Sequence, residues 1–156
     1  MQTLTMTSLF QFTEASLLVP RLTGNHHESI ITELADRLEG SGRIGSSELF
    51  VDAVLAHEEQ ASAVFDEVAF PVAHSKTVRE LSFAFGITSR TLRWRTATAP
   101  LVSMVVLMAV PFSEEMGYLS LLTSFCNFLK DKAVTARLKH CVQADEISEM
   151  FCHARA

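Results

Sequence analysis

The chain has 156 residues, 48% of them hydrophobic and 20% charged, with a formal net charge of −5. That length and apolar content suit one compact domain spanning residues 1–156 with a sizeable core. The acidic balance argues against nucleic-acid binding, because proteins that track phosphate backbones are basic.

The amino-terminal stretch from Met1 to Phe12 has no basic leader and no long apolar run, so no signal peptide is read there. The longest apolar run, Leu101 to Phe112, is too short to span a bilayer, and direct membrane insertion is not expected. These features point to a cytoplasmic protein. Cys126, Cys141 and Cys152 lack paired spacing, which speaks against a disulfide framework and a zinc site. No metal-ligand set and no glycine-rich phosphate loop occur, so neither a metal nor another cofactor is expected.

In chain order, Leu4 to Phe12 reads as an extended or turn-rich entry, and Thr13 to Pro20 leads to a polar break at Thr23-Gly24-Asn25. A helix is predicted from about His26 to Glu39, with Ile30, Ile31, Leu34 and Leu38 at helical spacing and Asn25 as its cap. Gly40-Ser41-Gly42 stops it. Ser46 or Ser47 can cap a second helix, running to about Glu59, with Leu49, Phe50, Ala53, Val54 and Ala56 as its apolar face.

The period then changes. Val64-Phe65, Val68 to Phe70, Leu81 to Ile87, Leu92 to Arg95 and Leu101 to Val110 read as strands. Ser113 is expected to cap a helix with Glu114 and Glu115 in its first turn, where carboxylates suit the helix dipole. That helix carries Leu119, Leu121, Leu122, Phe125, Phe128 and Leu129. Two shorter helices follow, at about Lys132 to Cys141 and Asp145 to His153. This order predicts an α/β sandwich: a central mixed sheet flanked by helices on both faces.

The most informative stretch runs from His57 to Lys76. Val68-Ala69-Phe70 runs into Pro71, and His74 follows with Ser75 and Lys76 beside it. A histidine in a loop set by a proline at a strand end can be an exposed nucleophile.

The ordered motifs resemble the enzyme IIA domain of the mannitol/fructose class of the bacterial sugar phosphotransferase system, which includes the nitrogen-regulatory IIA proteins. The resemblance covers nearly the whole chain. The helix type Ile-Ile-x-Glu-Leu-Ala-x-x-Leu falls at Ile30 to Leu38. A second helix ending Arg-Glu-Glu has its counterpart in His57-Glu58-Glu59. The run Gly-Val-Ala-Ile-Pro-His aligns with Glu67 to Val72. The long apolar strand ending in proline is Val102 to Pro111, and the leucine-rich carboxy-terminal part is Tyr118 to Phe128 followed by Leu129-Lys130-Asp131.

The resemblance implies a phosphoryl carrier: the histidine after the proline accepts the group from the histidine phosphocarrier protein. It then passes the group to a sugar-transport subunit or uses it as a regulatory mark. It also implies that an arginine before Glu-Glu and a second histidine after the long strand assist. Here the polar positions differ. Val72 occupies the acceptor position, His57 the arginine position and Ala63 the threonine position. The second-histidine region, Glu114 to Leu119, contains Tyr118 and no histidine.

On a regular strand, residues 72 and 74 point to one side with side chains roughly 6–7 Å apart. In-line attack needs the reacting atoms about 3–3.5 Å apart. His74 therefore returns to the acceptor place only if Val72-Ala73 bulge, or if a partner docks differently. In that reading His74 is the acceptor and His57 an accessory cation or donor. Ser75, Lys76 and Arg79 contact the phosphoryl oxygens. The other reading is a catalytically silent IIA-like module that binds a partner, and self-association is compatible with both.

Arg90, Arg93 and Arg95 around the single Trp94 offer a phosphate or partner patch with cation–π support, or simply a solvated strand edge. His26 and His27 read as a polar helix start, and His140 and His153 as histidines near helix ends. Glu58-Glu59 and Glu114-Glu115 read as solvated helix-end faces, although a carboxylate there can orient an imidazole.

Overall fold

A computed structural model describes residues 8–154 of the chain. Two 3-10 turns, Leu9–Phe12 and Ala15–Leu17, lead into a short strand β1, Leu18–Val19. The expected entry segment agrees where it is described; Leu4 to Thr7 lie outside the described residues. Helices α1, His27–Gly40, and α2, Ser47–Gln60, follow, then strands β2, Val64–Phe65, β3, Val68–Ala69, β4, Val72–His74, β5, Ser82–Arg93, and β6, Leu101–Val110. Helices α3, Glu115–Phe128, α4, Lys132–Lys139, and α5, Ala144–His153, complete the order.

The six strands form one mixed sheet, ordered β1-β5-β6-β3-β2, with β4 pairing β6 beyond β3. β5 and β6 form the long antiparallel centre, while β1 runs parallel to β5 and both β3 and β4 run parallel to β6. Side chains alternate across β6. Met104, Val106, Met108 and Val110 pack with Phe125, Leu138, Ile147 and Phe151 from α3, α4 and α5. Val105, Leu107 and Ala109 pack with Ile30, Leu34, Phe50 and Val54 from α1 and α2. Both faces are thus covered, which is why β6 reads as a nearly continuous apolar run.

Several local expectations change. The cap of α1 is His26, not Asn25: its Nδ1 accepts from the Ser29 N–H, and Ser29 Oγ accepts from the His26 N–H. Ser46 caps α2 by accepting from the Leu49 N–H. Leu49 and Ala56, expected on the buried face of α2, are exposed, while Val51 and Glu58 are buried. The predicted strands at 81–87 and 92–95 are one strand, β5, with a register shift between Ile87 and Leu92. Ser113 caps nothing; the residue before α3 is Glu114, without a side-chain cap bond. Of the apolar residues read on this helix, Leu119 is exposed, and Leu121 and Phe125 are the buried residues of α3.

Candidate functional site

The segment after Pro71 is a strand, not a loop. Val72, Ala73 and His74 pair with Met108, Ala109 and Val110. Val68 and Ala69 pair with Met104 and Val105, so one constant offset of 36 residues runs from β3 through Pro71 into β4. There is no bulge at Val72-Ala73. The Met108 N–H donates to the Pro71 carbonyl at 2.9 Å, which carries the ladder across a residue that has no N–H of its own.

That regular register puts Val72 and His74 on the same side, facing α3. Val72 is buried in the core on that side. His74 lies beyond the core edge, and its side chain is 28% exposed. Its Nε2 is 2.5 Å from Glu115 Oε1. Its ring meets Tyr118 edge-on, with centroids 5.3 Å apart and planes at 85°.

Glu115 opens α3, where free backbone N–H groups favour a carboxylate. Tyr118 stands one turn further on. Burial pushes its phenol up, and the Glu115 carboxylate adds to the effect. The imidazole is therefore oriented by a carboxylate and braced by an aromatic ring, the arrangement that fixes tautomer and pose in histidine nucleophiles and bases.

Ser75 to Val78 form a turn. The Ser75 N–H donates to the Val110 carbonyl at 3.2 Å, and the Val78 N–H closes the turn onto the Ser75 carbonyl at 3.1 Å. Ser75 Oγ accepts from the Thr77 N–H at 3.3 Å, which leaves its own proton free to donate. Thr77 Oγ1 accepts from the Gly45 N–H at 3.0 Å and the Ser46 N–H at 2.7 Å, pinning the turn to the loop between α1 and α2. Lys76 and Arg79 are exposed and enter no ion pair among the described residues.

His57 is elsewhere. It lies exposed on the last turn of α2. The amino-terminal end of α2 meets Thr77, just past His74, and about 16 Å of helix separates Ser46 from His57. The neighbouring Glu58 is buried and accepts from Trp94 Nε1 at 2.8 Å and from Ser62 Oγ at 3.3 Å. Burial pushes its carboxyl up, and the Trp94 and Ser62 bonds oppose that shift. Trp94 sits past the end of β5 with its N–H on the Pro100 carbonyl, at the opposite end of β6 from Val110. No bond or ring contact links His57 with His74.

The ring neighbour of Trp94 is His27, at 5.5 Å and 74°. Arg93 Nη1 donates to the Ala99 carbonyl at 3.0 Å, and Arg90 and Arg95 are exposed. Among the described residues, no three His, Cys, Asp or Glu side chains gather to hold a metal ion. No helix among them is long and apolar enough to cross a membrane.

Sequence reasoning located His74, Ser75, Lys76 and Arg79 in one stretch, and the structure keeps them on one strand end and turn. It missed Thr77, for which a hydroxyl in a polar turn gives no distinguishing signal. Glu115 was read only as a helix-end carboxylate able to orient an imidazole, with no means of naming which one.

A mixed sheet covered on both faces by helices, with a histidine at the end of a short strand paired to β6, defines an α/β sandwich domain. The chain belongs to the family described as phosphoenolpyruvate-dependent sugar phosphotransferase system, EIIA 2, whose model matches residues 11–154. It is 31% identical over 146 residues to the 2-O-alpha-mannosyl-D-glycerate-specific EIIABC component of Escherichia coli (strain K12), covering 91% of this chain and 22% of that protein. The chain thus spans about a fifth of that relative.

Among solved structures, nitrogen regulatory protein IIA-Ntr from Neisseria meningitidis superposes with a TM-score of 0.80 at 18% identity, covering 90% of this chain and 97% of that one. IIA mannitol from Escherichia coli gives 0.77 at 22% identity, covering 89% and 98%. The complex of that IIA with phosphorylated enzyme IIB gives 0.76 at 21%, covering 90% and 96%. At these identities the superpositions establish the fold alone.

Proposed function

We propose that the chain is a phosphoryl carrier of a sugar phosphotransferase relay, with His74 as the acceptor. The observation that carries this reading is the His74–Glu115 pair: a half-buried imidazole, oriented by a carboxylate, at the open end of β4. The donor is the histidine phosphocarrier protein and the recipient a IIB-type transport domain or a regulatory target, all acting in the cytoplasm. Transfer breaks the donor's N–P bond and forms one to His74. Such chemistry needs little covalent help, but it needs positive or hydrogen-bonding groups for the phosphoryl oxygens. The Ser75 hydroxyl, Lys76 and Arg79 serve here. Phe112, Met116 and Leu119 are exposed around the start of α3, beside Glu115 and Tyr118, and give a partner an apolar surface to dock on.

A second reading, a silent module that binds a partner without transfer, draws on His57. The residue at the family's arginine position makes no contact with His74, so the site has no guanidinium from α2.

Phosphorylation separates the two. The protein is incubated with phosphoenolpyruvate, the system's first enzyme and the phosphocarrier protein, then examined by intact mass. The carrier reading expects an acid-labile, base-stable phosphoryl adduct that disappears in His74→Ala. No adduct, or an unchanged adduct in that variant, overturns it.

A further inference from the structure

We infer that the cavity between α3, α4 and α5 binds a free α-amino acid with an apolar side chain, its carboxylate held by Arg137 and its ammonium by Glu149. This goes beyond the carrier reading and does not depend on it. Phe128, which lines the cavity, stands at the far end of α3 from Glu115, so about 20 Å of helix separates the cavity from the His74 pair.

The cavity has a volume of about 500 Å³, within the range of small-molecule sites. Its floor is apolar. Phe128 from α3, Val134 from α4 and Met150 from α5 line it, the first two half-buried and Met150 almost wholly buried. That floor is set before a ligand arrives. The Phe128 ring meets the buried Phe151 ring edge-on, with centroids 5.9 Å apart and planes at 62°. Met150 Sδ lies 3.9 Å from Cys141 Sγ. Thr135 Oγ1 donates to the Leu129 carbonyl at 3.1 Å, which ties the start of α4 to the end of α3. A preformed floor spares a ligand the cost of ordering it.

The rim carries charges of both signs. Arg137 lies in the last turn of α4. Glu149 and His153 lie one turn apart on α5, which places them on one face. All three are exposed. Arg137 and Glu149 line the same cavity, yet neither enters an ion pair among the described residues. The two charges stand too far apart to pair directly, and each keeps its bonding capacity open.

Charge sets the class of ligand. A simple anion that reached Arg137 would also meet the Glu149 carboxylate. A simple amine at Glu149 would meet the Arg137 guanidinium, and like charges at close range repel. A zwitterion satisfies both. The planar guanidinium takes a carboxylate through two parallel N–H···O bonds, and the ammonium donates to Glu149. The side chain then faces Phe128, Val134 and Met150. An aromatic or branched aliphatic side chain gains there by leaving water, and an aromatic one adds an edge-on contact with the Phe128 ring. A neutral polyol would lose water from its hydroxyls over that floor without new hydrogen bonds.

The test titrates L-phenylalanine into the ¹⁵N-labelled full chain and follows the backbone amides by two-dimensional NMR. Saturable shifts centred on Phe128, Val134 and Met150 are expected. Arg137→Ala and Glu149→Gln should each weaken binding by roughly tenfold or more, the size of one lost hydrogen bond to a charged group, while their spectra stay as dispersed as that of the folded wild type. Two analogues check the class independently of any variant. Hydrocinnamate is the same skeleton without the ammonium, and phenethylamine is that skeleton without the carboxylate. Each should bind wild type roughly tenfold or more weakly than L-phenylalanine. Absence of saturable shifts with L-phenylalanine, shifts centred elsewhere, undiminished binding in either variant, or equal binding of either analogue overturns the inference.

Discussion

The indole N–H of Trp94 donates to the carboxylate of Glu58 at 2.8 Å, and both side chains are almost wholly buried. This bond ties the end of α2 to the hairpin between β5 and β6. A buried carboxylate is kept only where donors satisfy it, and Ser62 supplies the second. Removing it by Glu58→Ala leaves the Trp94 N–H without a partner and is expected to cost about 1–3 kcal/mol. Trp94 is the single tryptophan, so its fluorescence reports the loss during urea unfolding.

The same carboxylate makes stability depend on pH. Burial raises its pKa in the folded chain above the ordinary carboxylate range of the unfolded chain. Between those two values the folded state binds more protons, so this contribution is complete in acid and is lost as pH rises through the folded pKa. Glu58→Gln removes the titration and keeps a carbonyl for Trp94. Comparing the melting temperatures of the two proteins from the ordinary carboxylate range upward in pH should show wild type losing ground to the variant as pH rises. Parallel curves refute the assignment.

Thr77 holds the turn that follows His74. Thr77→Val keeps the shape and removes the oxygen that accepts from Gly45 and Ser46. Gly45 retains its bond to the Thr77 carbonyl, but the Ser46 N–H has no other partner among the described residues. The expected cost is about 1–3 kcal/mol in the urea midpoint. Amide exchange at Ser46 should accelerate; unchanged exchange and midpoint show that the turn is held by other means.

Lys76, within that turn, and Arg79, just past it, are exposed cations. As groups for the phosphoryl oxygens they act in the transfer step, where positive charge offsets that of the group in flight. Lys76→Ala and Arg79→Ala should each lower the rate at saturating donor, by roughly a hundredfold at most. An effect confined to the half-saturating donor concentration that shrinks at high salt assigns them to the rim of the docking surface instead.

The parts of the fold legible in the sequence are those whose pattern is local. The run Leu101–Val110 is β6 residue for residue because both its faces are buried, and Ile30, Ile31, Leu34 and Leu38 mark α1 by their spacing. What stayed hidden depends on distant partners. Three residues between Pro71 and a polar turn show no period, so β4 becomes visible only through its pairing with β6. Glu58 reads as solvated because its partner Trp94 is 36 residues away. His74 was recognisable as a candidate, but Glu115, 41 residues on, reaches it only through the docking of α3. Pattern likewise places Leu49 inside, whereas α2 turns Val51 inward and leaves Leu49 in solvent.

The alignment position of the family's acceptor offers a final test. Val72 is 3% exposed, pairs with Met108 in an unbroken register, and packs among apolar side chains beneath α3. An imidazole there would lose its water with no polar partner in reach of the pairing, so Val72→His should lower stability by about 1–3 kcal/mol. A nucleophile must also meet its phosphoryl donor at about 3–3.5 Å, which a side chain under the core edge cannot do. The double variant Val72→His, His74→Ala should therefore take up no phosphoryl group in the relay assay, although it has a histidine directly after Pro71. Intact mass decides the matter. A base-stable adduct on the double variant would mean that the acceptor place lies at Val72 after all, and that the shift to His74, with its partners Glu115 and Tyr118, is not what defines this site.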